Sequence, residues 1–196
     1  HQNIDQIWQI PNNKLIDLIE NRNFSNMSKK IIFYAPSFLN YRSKYFFSHN
    51  DAFTSISITG SSCALNCDHC DKKVLETMIP ATSPEELYKI CLKLKKNGAI
   101  GCLISGGCSP KGVVPLDNFI DTIAKIKKEL DLVIIVHTGL VDFSIGKRLK
   151  KAGIDAALID IIGSEETIQK IYHLDLCLED YEKSLPVKKF SNIAIY

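Results

Sequence analysis

The chain has 196 residues, of which 45% are hydrophobic and 23% are charged, and its formal net charge is +2. This length predicts one domain with the composition of an ordinary globular protein. The small net charge gives no support for a nucleic-acid surface, and no run approaches the roughly 18 consecutive apolar residues of a membrane span.

The first 50 residues predict an N-terminal extension, 1–50, ahead of a core domain at 51–196. A partial helical stripe of apolar residues opens the extension, and residues 31–36 form an extended run that ends in a proline. Aromatic side chains are frequent between Tyr34 and Phe47. Because no basic stripe accompanies them, we expect them to cover the core domain rather than to stack on nucleic-acid bases.

A strand predicted from Phe53 to Gly60 leads into the most distinctive stretch of the sequence, Cys63-Ala-Leu-Asn-Cys67-Asp-His-Cys70. Three thiolates this close together can converge on one metal centre, and an odd number cannot pair off completely as disulfides. A [4Fe–4S] cluster is normally held by cysteine thiolates, and three protein ligands leave one of its irons open. The spacing alone allows such a cluster, a zinc site or three reduced thiols in a loop.

Helices and strands alternate through the rest of the chain. Ser83 caps a helix with Pro84 and Glu86 in its first turn, and Gly98 ends it. The remaining elements are predicted as a strand at 99–105, a helix through 119–130, a strand at 132–137, a short helix ending at Gly153, a strand at 156–162, a helix capped by Ser164, a helix at 178–185 and a strand-like run at 193–196. At least five strands joined by helices predict a parallel sheet that right-handed crossovers roll towards a barrel, although an open doubly wound sheet gives the same linear pattern.

Unusual residues follow the predicted strands, whose carboxyl ends meet at one edge of a parallel sheet. Gly106 and Gly107 form a tight turn, or allow a ligand to approach the backbone. His137 is a packed histidine, a proton donor or a ligand-binding group. Asp160 lies in an apolar run and needs a partner if it is buried, such as a ribose hydroxyl or a bound amine. Cys108 is a loop residue or a side chain that faces a ligand.

The other cysteines indicate the redox environment. Cys91 and Cys102 lie in elements with a core pattern and are most simply small buried residues. Seven cysteines without a visible signal peptide favour a reducing cytosol over a secreted disulfide framework. We therefore expect a cytoplasmic protein.

The spacing of Cys63, Cys67 and Cys70, with His69 before the last of them and Ser105-Gly106-Gly107 after the second strand, resembles that of the radical S-adenosylmethionine (SAM) superfamily. That resemblance implies an α/β fold, a partial (β/α)6 barrel of the radical SAM type. Because the fifth predicted strand lies at the end of the chain, we expect a barrel truncated near its fifth strand.

The resemblance also implies the roles of the site residues. The three cysteines hold a [4Fe–4S] cluster, and its open iron binds the amino and carboxylate groups of SAM. Reductive cleavage of SAM gives methionine and a 5′-deoxyadenosyl radical, which abstracts hydrogen from an unactivated C–H bond. The expected cofactor-binding residues are His69, Ser105, Gly106, Gly107, His137 and Asp160.

Longer stretches, including residues 78–82 and 136–142, are similar to the biotin-synthase-like branch, and within it to a subunit of the archaeal-type two-component lipoyl synthase. This implies a sulfurtransferase of lipoate biosynthesis that acts on an octanoyl chain of a carrier protein. The implied partners are a second radical SAM subunit and a reductant such as ferredoxin, and Cys108 is a candidate ligand of a second iron–sulfur cluster. The alternatives are another radical SAM sulfur insertion, or a non-catalytic iron–sulfur or zinc protein that docks a partner.

Overall fold

The computed structural model describes residues 52–184 and Ala194–Ile195, with isolated positions nearer the N-terminus (Pro11, Asn13, Lys14, Ile16, Asp17 and Lys44). Residues 52–184 and 194–195 belong to one compact unit that begins at Pro36. The extended run at 31–36 and the aromatic segment lie outside the described residues. The division into an extension at 1–50 and a core at 51–196 therefore stays a prediction.

Six parallel strands in the described part of the chain form one sheet. They are β1 (Phe53–Ser57), β2 (Ile79–Pro80), β3 (Gly101–Ser105), β4 (Val133–His137), β5 (Ala156–Ile159) and β6 (Ala194–Ile195). Their order across the sheet is β2-β1-β3-β4-β5-β6, and every neighbouring pair is parallel. Apart from the two-residue β2, the strands follow one another in chain order, as in the wall of a barrel. A doubly wound sheet reverses its order partway, so the partial-barrel prediction is confirmed over the open sheet.

The helices described within residues 52–184 lie between the strands in the chain. They are α1 (Lys73–Glu76), α2 (Pro84–Lys96), α3 (Ile120–Leu130), α4 (Phe143–Ala152), α5 (Glu165–Lys170) and α6 (Leu178–Ser184), and a 3-10 turn at Asp117–Phe119 precedes α3. The predicted capping box is confirmed, because Glu86 N–H donates to Ser83 Oγ at 3.2 Å and the Glu86 carboxylate accepts from Ser83 N–H at 3.2 Å. Ser164 caps α5, and Gly153 ends α4 with a φ of 84°. None of the described helices is long and apolar enough to cross a membrane.

The strands differ from the prediction in several places. The sequence analysis does not predict β2. Pro80 is tolerated there because β2 is an edge strand, and on its outer side no neighbouring strand requires a backbone N–H donor. β1 ends at Ser57 because the chain turns before Gly60, which has a φ of 59°. β5 ends at Ile159, so Asp160 lies just beyond the strand rather than within it.

Alternate residues of each strand face opposite sides of the sheet. Ile104 and Val136 lie on the side packed against α2, α3 and α4, and both are fully buried there. Ser57 pairs with Ser105, and Ile104 pairs with Val136, so the next position brings Ser105 beside His137 on the other side. The register therefore aligns polar side chains along the carboxyl edge of that side.

Candidate metal and cofactor site

The three cysteines lie in the loop that follows β1, as predicted. All three are free and half-buried. Residues 67–71 form a tight turn. The Cys67 carbonyl oxygen accepts hydrogen bonds from Cys70 N–H at 3.1 Å and from Asp71 N–H at 2.8 Å. Leu65, between the first two cysteines, is buried against Ile168 and neighbouring side chains. The loop is thus anchored by an apolar side chain while its thiols stay near the surface.

The first half of the cysteine loop lies against the segment that follows β3. Cys108 N–H donates to Cys63 Sγ at 3.3 Å, and Ala64 N–H donates to the Cys108 carbonyl at 2.8 Å. A Cβ on Gly107 would lie 2.1 Å from Ser62 O and 2.6 Å from Cys63 Cα. A glycine is therefore required at position 107, because the cysteine loop itself occupies the space of a side chain.

The second half of the cysteine loop lies against residues 171–173, which follow α5. Asp68 N–H donates to Ile171 O at 3.0 Å, and the Asp68 carboxylate lies 2.7 Å from His173 Nε2. The ring centroids of His69 and Tyr172 are 4.7 Å apart at a tilt of 51°. Nothing in the sequence identified this contact, because its two sides lie far apart in the chain and Ile171–His173 carries no motif.

The three thiols are the candidate donor set of the site. Within residues 52–184, no three His, Cys, Asp or Glu side chains are arranged around the position of one metal ion. The thiols still influence one another, since burial and then the charges of Cys63 and Cys70 raise the pKa of Cys67. Cysteine thiolates are the ligands that a [4Fe–4S] cluster takes, and three of them leave one iron open, so the chemistry of this donor set fits such a cluster.

Cys108 lies at the cysteine loop itself. Burial, and then the neighbouring charges of Cys63 and Cys67, raise the pKa of its thiol to about 12. Its role as a ligand of a second cluster stays a prediction. Cys91 and Cys102 are confirmed as core residues, fully buried with their sulfur atoms 3.9 Å apart.

Ser105, His137 and Asp160 form a hydrogen-bonded row across the ends of three strands. Ser105 Oγ lies 3.3 Å from His137 Nδ1, and His137 Nε2 lies 3.2 Å from Asp160 Oδ2. The hydrogen bond with His137 lowers the pKa of Asp160, although burial opposes it. Asp160 therefore has the partner that its apolar sequence context required, and its side chain is still 51% exposed.

Gly106 and Gly107 have fewer free backbone groups for a ligand than the sequence suggested. Gly107 N–H already donates to Thr59 Oγ1 at 2.7 Å, and a Cβ on Gly106 would lie 3.0 Å from the same oxygen. The expected contacts of His69, Ser105, Gly106, Gly107, His137 and Asp160 with a cofactor stay predictions. An open cavity of about 510 Å³ also borders the cysteine loop, lined in part by Cys63, Lys72 and Cys108.

Comparison with known proteins gives a family match over most of the core. A model of the radical SAM superfamily matches residues 57–185. The biotin synthase of Leptospira biflexa serovar Patoc is 31% identical over 120 residues, which cover 59% of this chain and 34% of that protein. The biotin synthase of Leptospira interrogans serovar copenhageni is 28% identical over 119 residues, covering 58% and 34%. The chain thus spans about a third of the length of the curated relatives it matches.

Solved structures share the fold at low sequence identity. The [FeFe]-hydrogenase maturase HydG aligns with a TM-score of 0.55 and 15% identity, covering 73% of this chain and 34% of that one. Methylornithine synthase (PylB) aligns with a TM-score of 0.55 and 16% identity, covering 74% and 44%. Both likenesses concern the partial barrel.

Proposed function

This chain belongs to the radical SAM superfamily, and on that premise we propose that it cleaves SAM reductively to start a sulfur insertion. Membership of this enzyme superfamily, with biotin synthases as low-identity homologues, implies a [4Fe–4S] cluster and SAM as its cofactors. Cys63, Cys67 and Cys70 would hold the cluster, which when reduced would supply the electron that cleaves SAM to methionine and a 5′-deoxyadenosyl radical.

The observation that carries this proposal is the two-sided support of the cysteine loop. We assign Cys63, Cys67 and Cys70 as ligands to three irons. The Cys108 N–H donates to the Cys63 sulfur, and hydrogen bonds of this kind to ligand sulfurs tune the potential of a cluster. The loop contacts Gly107 on one side and residues 171–173 on the other, and we infer that this support would hold the three ligands in place before the metal binds.

The edge beside this loop has the chemistry to bind SAM. Gly107 N–H already donates a hydrogen bond to Thr59, so Gly106 and Gly107 have their carbonyl oxygens to offer a ligand. Carbonyl oxygens accept hydrogen bonds and therefore suit an ammonium group. The ionised, half-exposed carboxylate of Asp160 suits the ribose hydroxyls. His69, packed on Tyr172, places an aromatic face near the loop where an adenine base can stack.

For the substrate, we propose an octanoyl chain on a carrier-protein lysine, as in a lipoyl synthase. The support is the similarity of residues 78–82 and 136–142 to that family. The same similarity suggests a second radical SAM subunit, a second iron–sulfur cluster, a ferredoxin-like reductant and a cytoplasmic setting. The alternative substrate is a biotin precursor, which the names of the two curated relatives favour.

One anaerobic experiment tests the proposal. The chain is reconstituted with iron and sulfide, then incubated with SAM, dithionite and an octanoylated carrier domain. We expect about four irons per chain or more, production of 5′-deoxyadenosine, and a carrier whose mass shows added sulfur. Iron above about four per chain would report the second cluster, which would be the source of that sulfur. Cys67→Ala should abolish 5′-deoxyadenosine production, because it removes one of three ligands.

Cys177→Ala is the matched control, since Cys177 is also a half-buried thiol but is bonded to Asp180 at the start of α6. Full SAM cleavage by Cys67→Ala would contradict the assignment of the cluster. SAM cleavage by the wild-type chain with sulfur added to a biotin precursor instead of the carrier would establish the alternative substrate.

A further inference from the structure

In the row formed by Ser105, His137 and Asp160, the donor and the acceptor of each hydrogen bond can be assigned. An ionised carboxylate only accepts hydrogen bonds, so the contact with Asp160 requires that His137 Nε2 carries a proton. In the neutral ring, Nδ1 is then an acceptor, and Ser105 Oγ must donate its proton to it. Each hydrogen bond in the row thus points towards Asp160.

The row has one anchored end and one open end. Ser105 is only 7% exposed, and its carbonyl oxygen is held by Ile58 N–H at 2.8 Å. Asp160 is at the open end, and among the described residues no hydrogen bond reaches its Oδ1 atom. The other titratable groups that interact electrostatically with this carboxylate are His69 from the cysteine loop, Cys108 from the segment after β3, Tyr172 after α5 and Tyr181 in α6.

We propose that His137 is a positioning residue that, held in the Nε2–H tautomer by Ser105, fixes the rotamer of Asp160 so that Oδ1 accepts from the hydroxyl groups of bound SAM. Ser105 and His137 then act only through Asp160. This proposal rests on the proposed function for the identity of the ligand. The tautomer and the direction of the row belong to the free protein and do not depend on the ligand.

Binding of SAM to the reconstituted protein tests the proposal, by equilibrium dialysis without reductant. His137→Leu removes both hydrogen bonds from a side chain of similar size, and we expect the Kd for SAM to rise about tenfold or more. His137→Gln restores a donor and an acceptor on one planar group, so we expect its Kd to lie within about threefold of the wild type. With reductant, His137→Leu should raise KM for SAM more than it lowers kcat.

A double substitution separates the row from independent contacts. Ser105→Ala alone should raise the Kd for SAM by a smaller factor than His137→Leu. In the His137→Leu background, Ser105→Ala should have no further effect, because residues that act through one another are not additive. Ile135→Leu, two positions earlier on β4, is the control for a general disturbance of the strand.

Nitrogen-15 NMR of the ring nitrogens tests the tautomer without any ligand. At about pH 8.5, where histidine rings are mostly neutral, the His137 signals should show a protonated Nε2 and a bare Nδ1, with His137→Gln identifying them. An Nδ1–H tautomer, unchanged SAM binding by His137→Leu, a His137→Gln variant as weak as His137→Leu, or additive effects of the double substitution would each overturn the proposal. A wild-type protein that fails to bind SAM while showing the Nε2–H tautomer would overturn the proposed function instead, and with it the ligand assigned to Asp160.

Discussion

Gly107 has room for only a hydrogen atom where its side chain would be, because Ser62 O would lie 2.1 Å from a Cβ there. From the sequence, the glycine pair predicted a tight turn or a close approach of a ligand. The group that approaches Gly107 is instead the protein's own cysteine loop. The glycine pair and the cysteine motif are therefore parts of one structure, although more than 30 residues separate them.

This close approach predicts the effect of a single added methyl group. Gly107→Ala should displace the start of the cysteine loop, lower the free energy of unfolding by about 1–3 kcal/mol and remove most of the iron bound after reconstitution. Iron analysis and urea unfolding measure the two effects.

Gly163→Ala is the matched control, since a Cβ at Gly163 would have no neighbour within 4 Å. We expect it to retain its iron and its stability. If Gly107→Ala bound iron as the wild type does, Gly107 would not set the position of the loop.

At the residue scale, the sequence was sufficient for side chains that stand at strand ends. His137 stands out because it ends an apolar strand, and Asp160 because its carboxylate lies in an apolar run. The register of the sheet brings them together. The contact between Asp68 and His173 was not predictable in the same way. It involves His173 in a left-handed backbone conformation, with a φ of 55° that is uncommon for a residue other than glycine.

Among the elements, helix caps were the features that sequence located best. The first residue of α2 is predicted correctly from Ser83, Pro84 and Glu86. Ser83 and Glu86 bond to backbone groups within the first turn, and Pro84 has the backbone angle of a first helical residue. Strand ends were overestimated because apolar residues continue beyond them. Ile162, for example, packs with Leu65 of the cysteine loop and not in the sheet.

The capping box of α2 predicts a measurable contribution to stability. Ser83→Ala removes the acceptor for Glu86 N–H, and we expect the free energy of unfolding to fall by about 1 kcal/mol. Urea denaturation measures this change.

Lys93→Ala, at an exposed position of α2, is the control and should change the free energy of unfolding by less than about 0.5 kcal/mol. Equal effects of the two substitutions would mean that the capping box does not stabilise the helix.

For the whole molecule, alternating strands and helices were enough to predict a parallel sheet, but not its order. The order follows from which apolar faces pack together, and each crossover involves contacts between distant parts of the chain. The molecule has a large apolar core between the sheet and α2, α3 and α4, and a smaller one that includes Leu65 and Ile168. The smaller core lies beside the cysteine loop, so the site depends on segments far along the chain.

That dependence sets an order of events during synthesis. Cys67 and Tyr172, whose carbonyl oxygen it contacts, are 105 residues apart. At 5–20 residues per second, a ribosome adds Tyr172 about 5–20 s after Cys67. During that interval the cysteine loop has only one of its two supports. We expect Cys67 to react quickly with an alkylating agent in ribosome-bound chains that lack residues 171–173, and slowly once those residues have left the ribosome. Equal alkylation rates at both lengths would contradict this order. If the rates differ as expected, a nascent chain passes through a period in which Cys67 is more reactive towards oxidants than it is once its contact at Tyr172 has formed.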